Sequence, residues 1–386
     1  MKVMHIVEAT ATGTLSMVVL LANGQVEAGH SVEVVYSLRP ESPTDISILF
    51  RPEVSLNIVN LRGPINKLTG FARVRRLLLG SAPDAVFMHS SFAGFIGRVA
   101  AFGVLKETKF YYIPHCISFM RADISGLKKW IFVLLEMIAS LKKSEFLACS
   151  ESERNKIENY IRFRNCRLIE NAVDFSDAFD WKEPMSGATQ TVVTVGHIRE
   201  QKGPREFARI AARARDTGMN ISFLWIGDGD ATFRDELEAE GVTVTGWMSR
   251  PNVIEQLKRA NIYLSTSHWE GMPVAMIEAI GVSLPIVASK CDGNVDVVDH
   301  GRTGLLFDVV EEAGEALLSL IKNPMFARKL ASAAWIDSKR RFNRERYLAE
   351  FSQLVQPTAH PKFSNENMLD RPQLDGALTR SLENDE

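Results

Sequence analysis

Short runs rich in β-branched residues alternate with amphipathic stretches along almost the whole chain, a pattern that fits parallel sheets covered by helices and little else. Strand-like runs are expected at residues 2–8, 31–36, 56–61, 85–89, 109–114, 145–148 and 167–169. The alternation then breaks over residues 171–190, where Asp174, Asp177, Asp180, Pro184, Ser186 and Gly187 sit with little periodicity. It restarts with strand-like runs at residues 191–195, 221–226, 242–244, 262–265, 284–288 and 304–307, separated by helical stretches such as 205–215, 251–259 and 311–321. A chain of 386 residues also exceeds what one ordinary core organises. The expected architecture is α/β, with two Rossmann-like, doubly wound parallel-sheet domains facing a central cleft. Their expected bounds are residues 1–170 and 191–338, joined by a linker at 171–190. Residues 356–386 turn Pro-, Asn-, Asp- and Glu-rich and are expected to be a disordered tail.

Charge and cysteine content narrow the function classes. A formal net charge of -2 argues against a polyanion-seeking protein, so no nucleic-acid partner is expected. The first half is slightly basic and the second slightly acidic. Cys116, Cys149, Cys166 and Cys291 form no metal-ligand spacing and read as reduced core residues of a cytoplasmic protein. The opening run lacks the basic head and long apolar stretch of a secretory signal, so export by that route is not expected. The most membrane-like segment, residues 130–141, carries Glu136 and is too short to span a bilayer, which takes about 20 residues. It reads first as a helix whose apolar face joins the core. The second reading is a patch flanked by Lys128, Lys129, Lys142 and Lys143 that touches anionic lipid at the inner membrane face.

The densest chemistry lies in Ser267-His268-Trp269-Glu270-Gly271-Met272-Pro273-Val274-Ala275-Met276-Ile277-Glu278-Ala279-Ile280-Gly281. Pro273 suits the first helical position and Gly281 the stop, which leaves the amides of Val274, Ala275 and Met276 unpaired at a helix N-terminus. Such an end attracts an anion, and two carboxylates beside it suit hydroxyl donors. Phosphate plus polyol reads as a nucleotide sugar. Taken alone, two glutamates eight apart fit solvated helix-end charges equally well.

This stretch resembles the E-x7-E signature of the retaining glycosyltransferases of family four, which have the two-domain GT-B fold. The likeness continues through Asn294-Val295-Asp296-Val297-Val298-Asp299-His300-Gly301-Arg302-Thr303-Gly304-Leu305-Leu306. Val195-Gly196-His197-Ile198-Arg199-Glu200-Gln201-Lys202-Gly203 is similar to the family's phosphate loop, with His197 where an Arg is usual and Arg199 two residues on. Gly13 falls between strand one and helix one, where the family has a glycine pair. His115, in Ile113-Pro114-His115-Cys116, matches a family histidine near the transferred sugar, and His89 ends an adjacent strand. Asp228-Gly229-Asp230 has metal-site spacing but is read as a tight turn, and Gly246-Trp247 resembles the base-contacting loop.

The resemblance implies a hexosyltransferase acting by front-face displacement with retention, in cell-surface polysaccharide or lipopolysaccharide assembly. The first domain would bind the acceptor and the second the donor, and residues 339–355 would form a closing helix that returns to the first domain. Catalytic residues would be His115, Lys202 and Glu270. Donor contacts would come from Gly13, His197, Arg199, Lys202, Glu270, Gly271, Met272, Pro273, Val274, Ala275 and Glu278. No cofactor or tightly bound metal is expected, since the nucleotide-diphosphate sugar is the substrate. The acceptor would be a glycan or lipid-linked glycan, a fit for Arg62, Lys67, Arg73, Arg75 and Arg76, although a solvated helix face explains these equally. Open alternatives are a nucleotide-sugar epimerase of the same fold, which would turn over without an acceptor, and a non-catalytic sugar-nucleotide-binding protein. A dinucleotide oxidoreductase is disfavoured because no G-x-G-x-x-G follows the first strand.

Overall fold

The computed structural model describes residues 1–356 apart from 62, 162–164, 176–177, 184–186, 217 and 219. The expected tail, save Gln356, lies outside the described residues, as do Arg62 and the side chain of Lys67.

The first lobe runs β1 (Lys2–Val7), α1 (Thr12–Glu27), β2 (Ser31–Tyr36), β3 (Ser55–Ile58), α2 (Pro64–Ser81), β4 (Ala85–His89), α3 (Ser91–Ala100), β5 (Lys109–Ile113), α4 (Gly126–Ala139), β6 (Glu145–Ala148), α5 (Glu151–Tyr160) and β7 (Cys166–Leu168). Its seven strands are all parallel in the order β3-β2-β1-β4-β5-β6-β7. The second lobe runs β8 (Gln190–Val195), α6 (Pro204–Asp216), β9 (Ile221–Ile226), α7 (Ala231–Ala239), β10 (Val242–Val244), α8 (Arg250–Arg259), β11 (Ile262–Ser265), α9 (Val274–Gly281), β12 (Ile286–Ser289), α10 (Asn294–Val297), β13 (Leu305–Phe307), α11 (Val310–Lys322) and α12 (Pro324–Arg341). Its six parallel strands follow the order β10-β9-β8-β11-β12-β13. Both orders reverse direction at the first strand, and such a switch point opens a crevice at the strands' carboxyl ends. The expected pair of doubly wound sheets is what the chain forms. Central strands such as β4, buried along its whole length, are apolar on both faces because helices cover both.

The last helix, α13 (Arg344–Val355), packs against α1 of the first lobe. Phe351 meets Phe87 at 5.6 Å between ring centroids, and the Tyr111 hydroxyl donates to Leu354 O at 2.8 Å. The chain crosses between lobes twice, and the crossings lie side by side: Val173 N–H donates to Phe342 O at 2.9 Å. Arg346 reaches the carbonyls of Glu170 and Asn171 at 2.7 and 3.0 Å.

Two local expectations change. Helix α1 begins at Thr12, which places Gly13 in its first turn. A Cβ on Gly13 would lie 3.1 Å from Val274 of the opposite lobe, so the glycine permits a close approach of the lobes there. Helix α4 does not sink its apolar residues into the core. Only Val133, Glu136 and Ala139 are buried, while Leu127, Trp130, Ile131, Leu134, Met137 and Ile138 of the helix, and Leu141 just beyond it, are exposed. Glu136 explains the orientation. Its carboxylate pairs with fully buried Arg98 and accepts from Tyr112 OH at 2.9 Å, so the polar residue of α4 faces inward and its apolar face outward.

Candidate functional site

Glu270, in the loop before α9, is 6% exposed, and Glu278, on α9, is 9% exposed, so neither is a solvated helix-end charge. Glu270 Oε1 meets Lys202 Nζ at 2.6 Å and accepts from Ser267 Oγ at 2.7 Å, while Gln201 Nε2 reaches its Oε2 at 3.4 Å. Its backbone N–H donates to Asp292 O at 3.0 Å. Two residues that stand 68 apart in sequence thus form one partly buried pair. Glu278 faces a different cation, Arg250, whose Nε lies 2.8 Å from Oε1. Burial raises the Glu278 pKa and Arg250 opposes that rise. No sequence signal pointed to Arg250.

Lys202 owes its position to the glycine after it. Gly203 has φ +62°, and a Cβ there would stand 2.0 Å from Thr266 O, so no other residue fits the turn. Thr266 Oγ1 in turn donates to the carbonyls of Lys202 and Gly203, each at 2.8 Å. Arg199 is exposed to solvent, with the charges of Glu270 and of Arg39 and Arg121 from the first lobe within electrostatic reach. His197 packs edge-on against Trp247 at 5.3 Å, and burial, then the Arg199 guanidinium, push its pKa down. A neutral imidazole carries no charge of the kind a guanidinium supplies, whereas Arg199, two residues on, does.

Helix α9 begins one residue later than its sequence suggests. Pro273, with ψ 94°, is the N-cap, and its carbonyl accepts from Met276 N–H at 3.0 Å. Met276 is therefore not a free amide, and the anion-attracting end consists of Val274 and Ala275. Gly281 lies within the helix, which stops beyond it where Ser283 adopts φ +68°. Met272 is held at the crossing between the lobes, where Asn171 Nδ2 donates to its carbonyl at 3.1 Å. Gly271 is where the lobes touch. A Cβ there would lie 2.7 Å from Cys116 N and 2.9 Å from His115 C.

His115 and Cys116 have φ of +53° and +93°, a left-handed turn made of two non-glycine residues. Glu153, fully buried in the first turn of α5, holds it. Oε1 accepts from Cys116 N and Ile117 N at 2.7 and 2.8 Å, and Oε2 from Cys149 N at 2.9 Å. The Ser150 hydroxyl caps α5, its Oγ accepting from Glu153 N at 3.1 Å, and sequence reasoning did not single out Glu153. The Ser150-x-x-Glu153 spacing of a capping box was the available signal. Asp228 and Asp230 serve locally. Asp228 Oδ1 accepts from Gly229 N at 2.9 Å, and Asp230 caps α7 by accepting from Thr232 N at 2.9 Å.

Residues 12–177 match the sequence profile of Glycosyltransferase Family 4, and residues 189–323 that of Glycosyl transferases group 1. The UDP-Gal:alpha-D-GlcNAc-diphosphoundecaprenol alpha-1,3-galactosyltransferase of Escherichia coli is 27% identical over 270 residues, covering 64% of this chain and 67% of that protein. CapM of Staphylococcus aureus, a capsular polysaccharide biosynthesis glycosyltransferase, is 24% identical over 259 residues, covering 59% of this chain and 65% of that one. The chain thus spans about two thirds of the length of these relatives. Its fold is similar to that of Anabaena Alr3699/HepE, solved with UDP and glucose, with TM-score 0.77 and 15% identity over 92% of this chain and 99% of that one. Sucrose-phosphate synthase of Thermosynechococcus elongatus gives TM-score 0.77 and 16% identity over 92% and 98%.

Proposed function

The chain belongs to the glycosyltransferases of family four, and on that premise we propose that it moves a hexose from a nucleotide-diphosphate sugar to an acceptor hydroxyl with retention at the anomeric carbon. The observation that carries this reading is the Lys202–Glu270 pair beside the N-terminus of α9, with Arg199 on the same loop as Lys202. The departing diphosphate needs positive charge, which Lys202, Arg199 and the free amides of α9 supply. In a front-face displacement the acceptor oxygen bonds to the anomeric carbon as the carbon–phosphate oxygen bond breaks, and the acceptor proton passes to the leaving phosphate. No side-chain nucleophile is needed. Glu278 would hold the ribose hydroxyls, Glu270 the donor sugar, and His115 the reacting sugar's orientation.

The acceptor is proposed to be a lipid-linked or polysaccharide glycan of the cell surface. The Escherichia coli relative's name specifies a diphosphoundecaprenol-linked acceptor, and the Staphylococcus aureus relative's name a capsular polysaccharide. The exposed apolar face of α4, with Lys128 and Lys143 exposed at its two ends, fits an anionic bilayer surface, as such an acceptor would require. No helix among the described residues is long and apolar enough to cross a membrane, so the contact would be peripheral.

A thermal-shift screen against uridine-, guanosine- and adenosine-diphosphate sugars tests the donor site. At least one is expected to raise the melting temperature with concentration, and no shift with any would refute the reading. Turnover that needs no acceptor would favour an epimerase. Flotation with phosphatidylglycerol vesicles, lost in Trp130→Glu, tests the α4 face.

A further inference from the structure

His115 is the end of a chain of polar groups that runs through the interior of the first lobe. Its Nε2 lies 3.1 Å from His89 Nδ1, and His89 Nε2 lies 3.0 Å from His5 Nδ1. His5 Nε2 then meets Gln25 Oε1 at 2.7 Å. The imidazole planes lie within 15° and 26° of one another, with centroids 5.4 Å and 5.3 Å apart, and the Phe87 ring lies 5.3 Å from that of His5. His5 and His89 are fully buried, and Gln25 is 5% exposed. The four groups come from β1, α1, the end of β4 and the turn after β5, so tertiary structure alone assembles them.

Burial holds all three rings neutral, pulling His5 and His115 down to about 4 and His89 well below its ordinary value. A neutral imidazole has one N–H and one lone pair. Each of the two nitrogen–nitrogen contacts needs one proton, so only two ordered arrangements exist: every ring protonated on Nε2, or every ring on Nδ1. A carbonyl oxygen only accepts. Gln25 Oε1 therefore requires the proton of His5 on Nε2, which leaves Nδ1 to accept from His89, and the same step repeats from His89 to His115.

We propose that Gln25 is a positioning residue that fixes the tautomer of His115 through His5 and His89, leaving Nδ1 of His115 as a proton-free acceptor for a donor-sugar hydroxyl. The relay is a property of the first lobe, whereas its use in turnover rests on the donor-site reading above. The Gln25 Nε2 is buried without a partner among the described residues, so the direction of the relay is set at the Gln25–His5 contact. If the amide turned over, the whole relay would reverse.

Nitrogen-15 spectra of histidine-labelled protein test this without substrate. His5, His89 and His115 are expected to show the Nε2–H pattern. In Gln25→Leu the His115 signals should become mixed or change to Nδ1–H, with His30 and His300 unchanged. Gln25→Glu, which keeps an acceptor, should restore the pattern. In the active enzyme, Gln25→Leu should lower kcat about three- to tenfold, the scale of one hydrogen bond, and Gln25→Glu should recover it. Nδ1–H signals in the unmodified protein, a His115 tautomer indifferent to residue 25, or unchanged turnover despite a changed tautomer would each overturn the proposal. If the tautomers follow residue 25 but no nucleotide sugar binds, the relay stands and the donor-site reading fails.

Discussion

Removing Lys202 should separate the stability of this site from its chemistry. Lys202 and Glu270 have side-chain exposures of 19% and 8%, and their charged atoms are 2.6 Å apart. Exposed ion pairs contribute about 0–1 kcal/mol, whereas breaking a buried one costs about 3–5 kcal/mol because a charge is stranded. The exposure of Lys202 places Lys202→Ala between these, at about 2–4 kcal/mol, since Ser267 and Gln201 still donate to the Glu270 carboxylate. The double variant Lys202→Met with Glu270→Gln strands no charge, and the Ser267 bond survives on the amide oxygen. It should return to within about 1 kcal/mol of the parent. Catalysis should not return with it. Loss of one preorganised electrostatic contact to a leaving group costs about 100- to 1,000-fold in turnover. Urea unfolding measures the first quantity, and transfer from the nucleotide sugar giving the largest thermal shift measures the second. A Lys202→Ala protein within about 0.5 kcal/mol of the parent would show that the pair is not desolvated. A double variant with restored turnover would make Lys202 a structural residue.

Gly293→Ala should displace Glu270. The glycine has φ +84°, and the new Cβ would lie 2.6 Å from Glu270 Cβ and 2.7 Å from its carbonyl oxygen, so a cost of about 2–4 kcal/mol in urea unfolding and loss of turnover are expected. Gly271→Ala acts on the lobe contact. Its Cβ would press on the His115–Cys116 turn, which Glu153 holds from behind, so donor KM should rise while stability falls by only about 1–3 kcal/mol. A pH dependence follows from His268 and Glu206, 3.1 Å apart. The bond from His268 pulls Glu206 from 4.5 to about 2, a contribution present above pH 4.5 and lost as pH falls toward 2. The same bond raises His268 above 6.5, a contribution present below that value and lost as pH rises through the folded pKa. The stability difference between the parent and His268→Asn should peak between pH 4.5 and 6.5, and a flat difference refutes the pairing.

How much of this was legible follows from the range of each interaction. Strands β2, β4, β6, β9, β10 and β11 have the bounds their β-branched runs suggest, because alternation and burial are local properties. The approach of Lys202 to Glu270 was legible only as two motifs read separately. Arg250, His5 and Gln25 were not legible. Each acts through a partner on another element, and an isolated His, Gln or Arg carries no spacing signal. Helix α4 misled for a related reason. Its apolar content suggests burial, but the Arg98–Glu136 pair, made across 38 residues, decides which face turns inward.

The two side-by-side crossings between lobes have a mechanical consequence. Val173 bridges Asn343, and the Arg346 guanidinium clasps the carbonyls of Glu170 and Asn171, so both tethers are stitched into one narrow seam. Bodies joined along a seam keep one soft degree of freedom, bending about its line, while sliding and twisting stretch one tether against the other. Helix α13, docked on α1 beyond that seam, travels with the first lobe. Cutting the chain just before Arg344 would leave a single strap, turning a door hinge into a swivel.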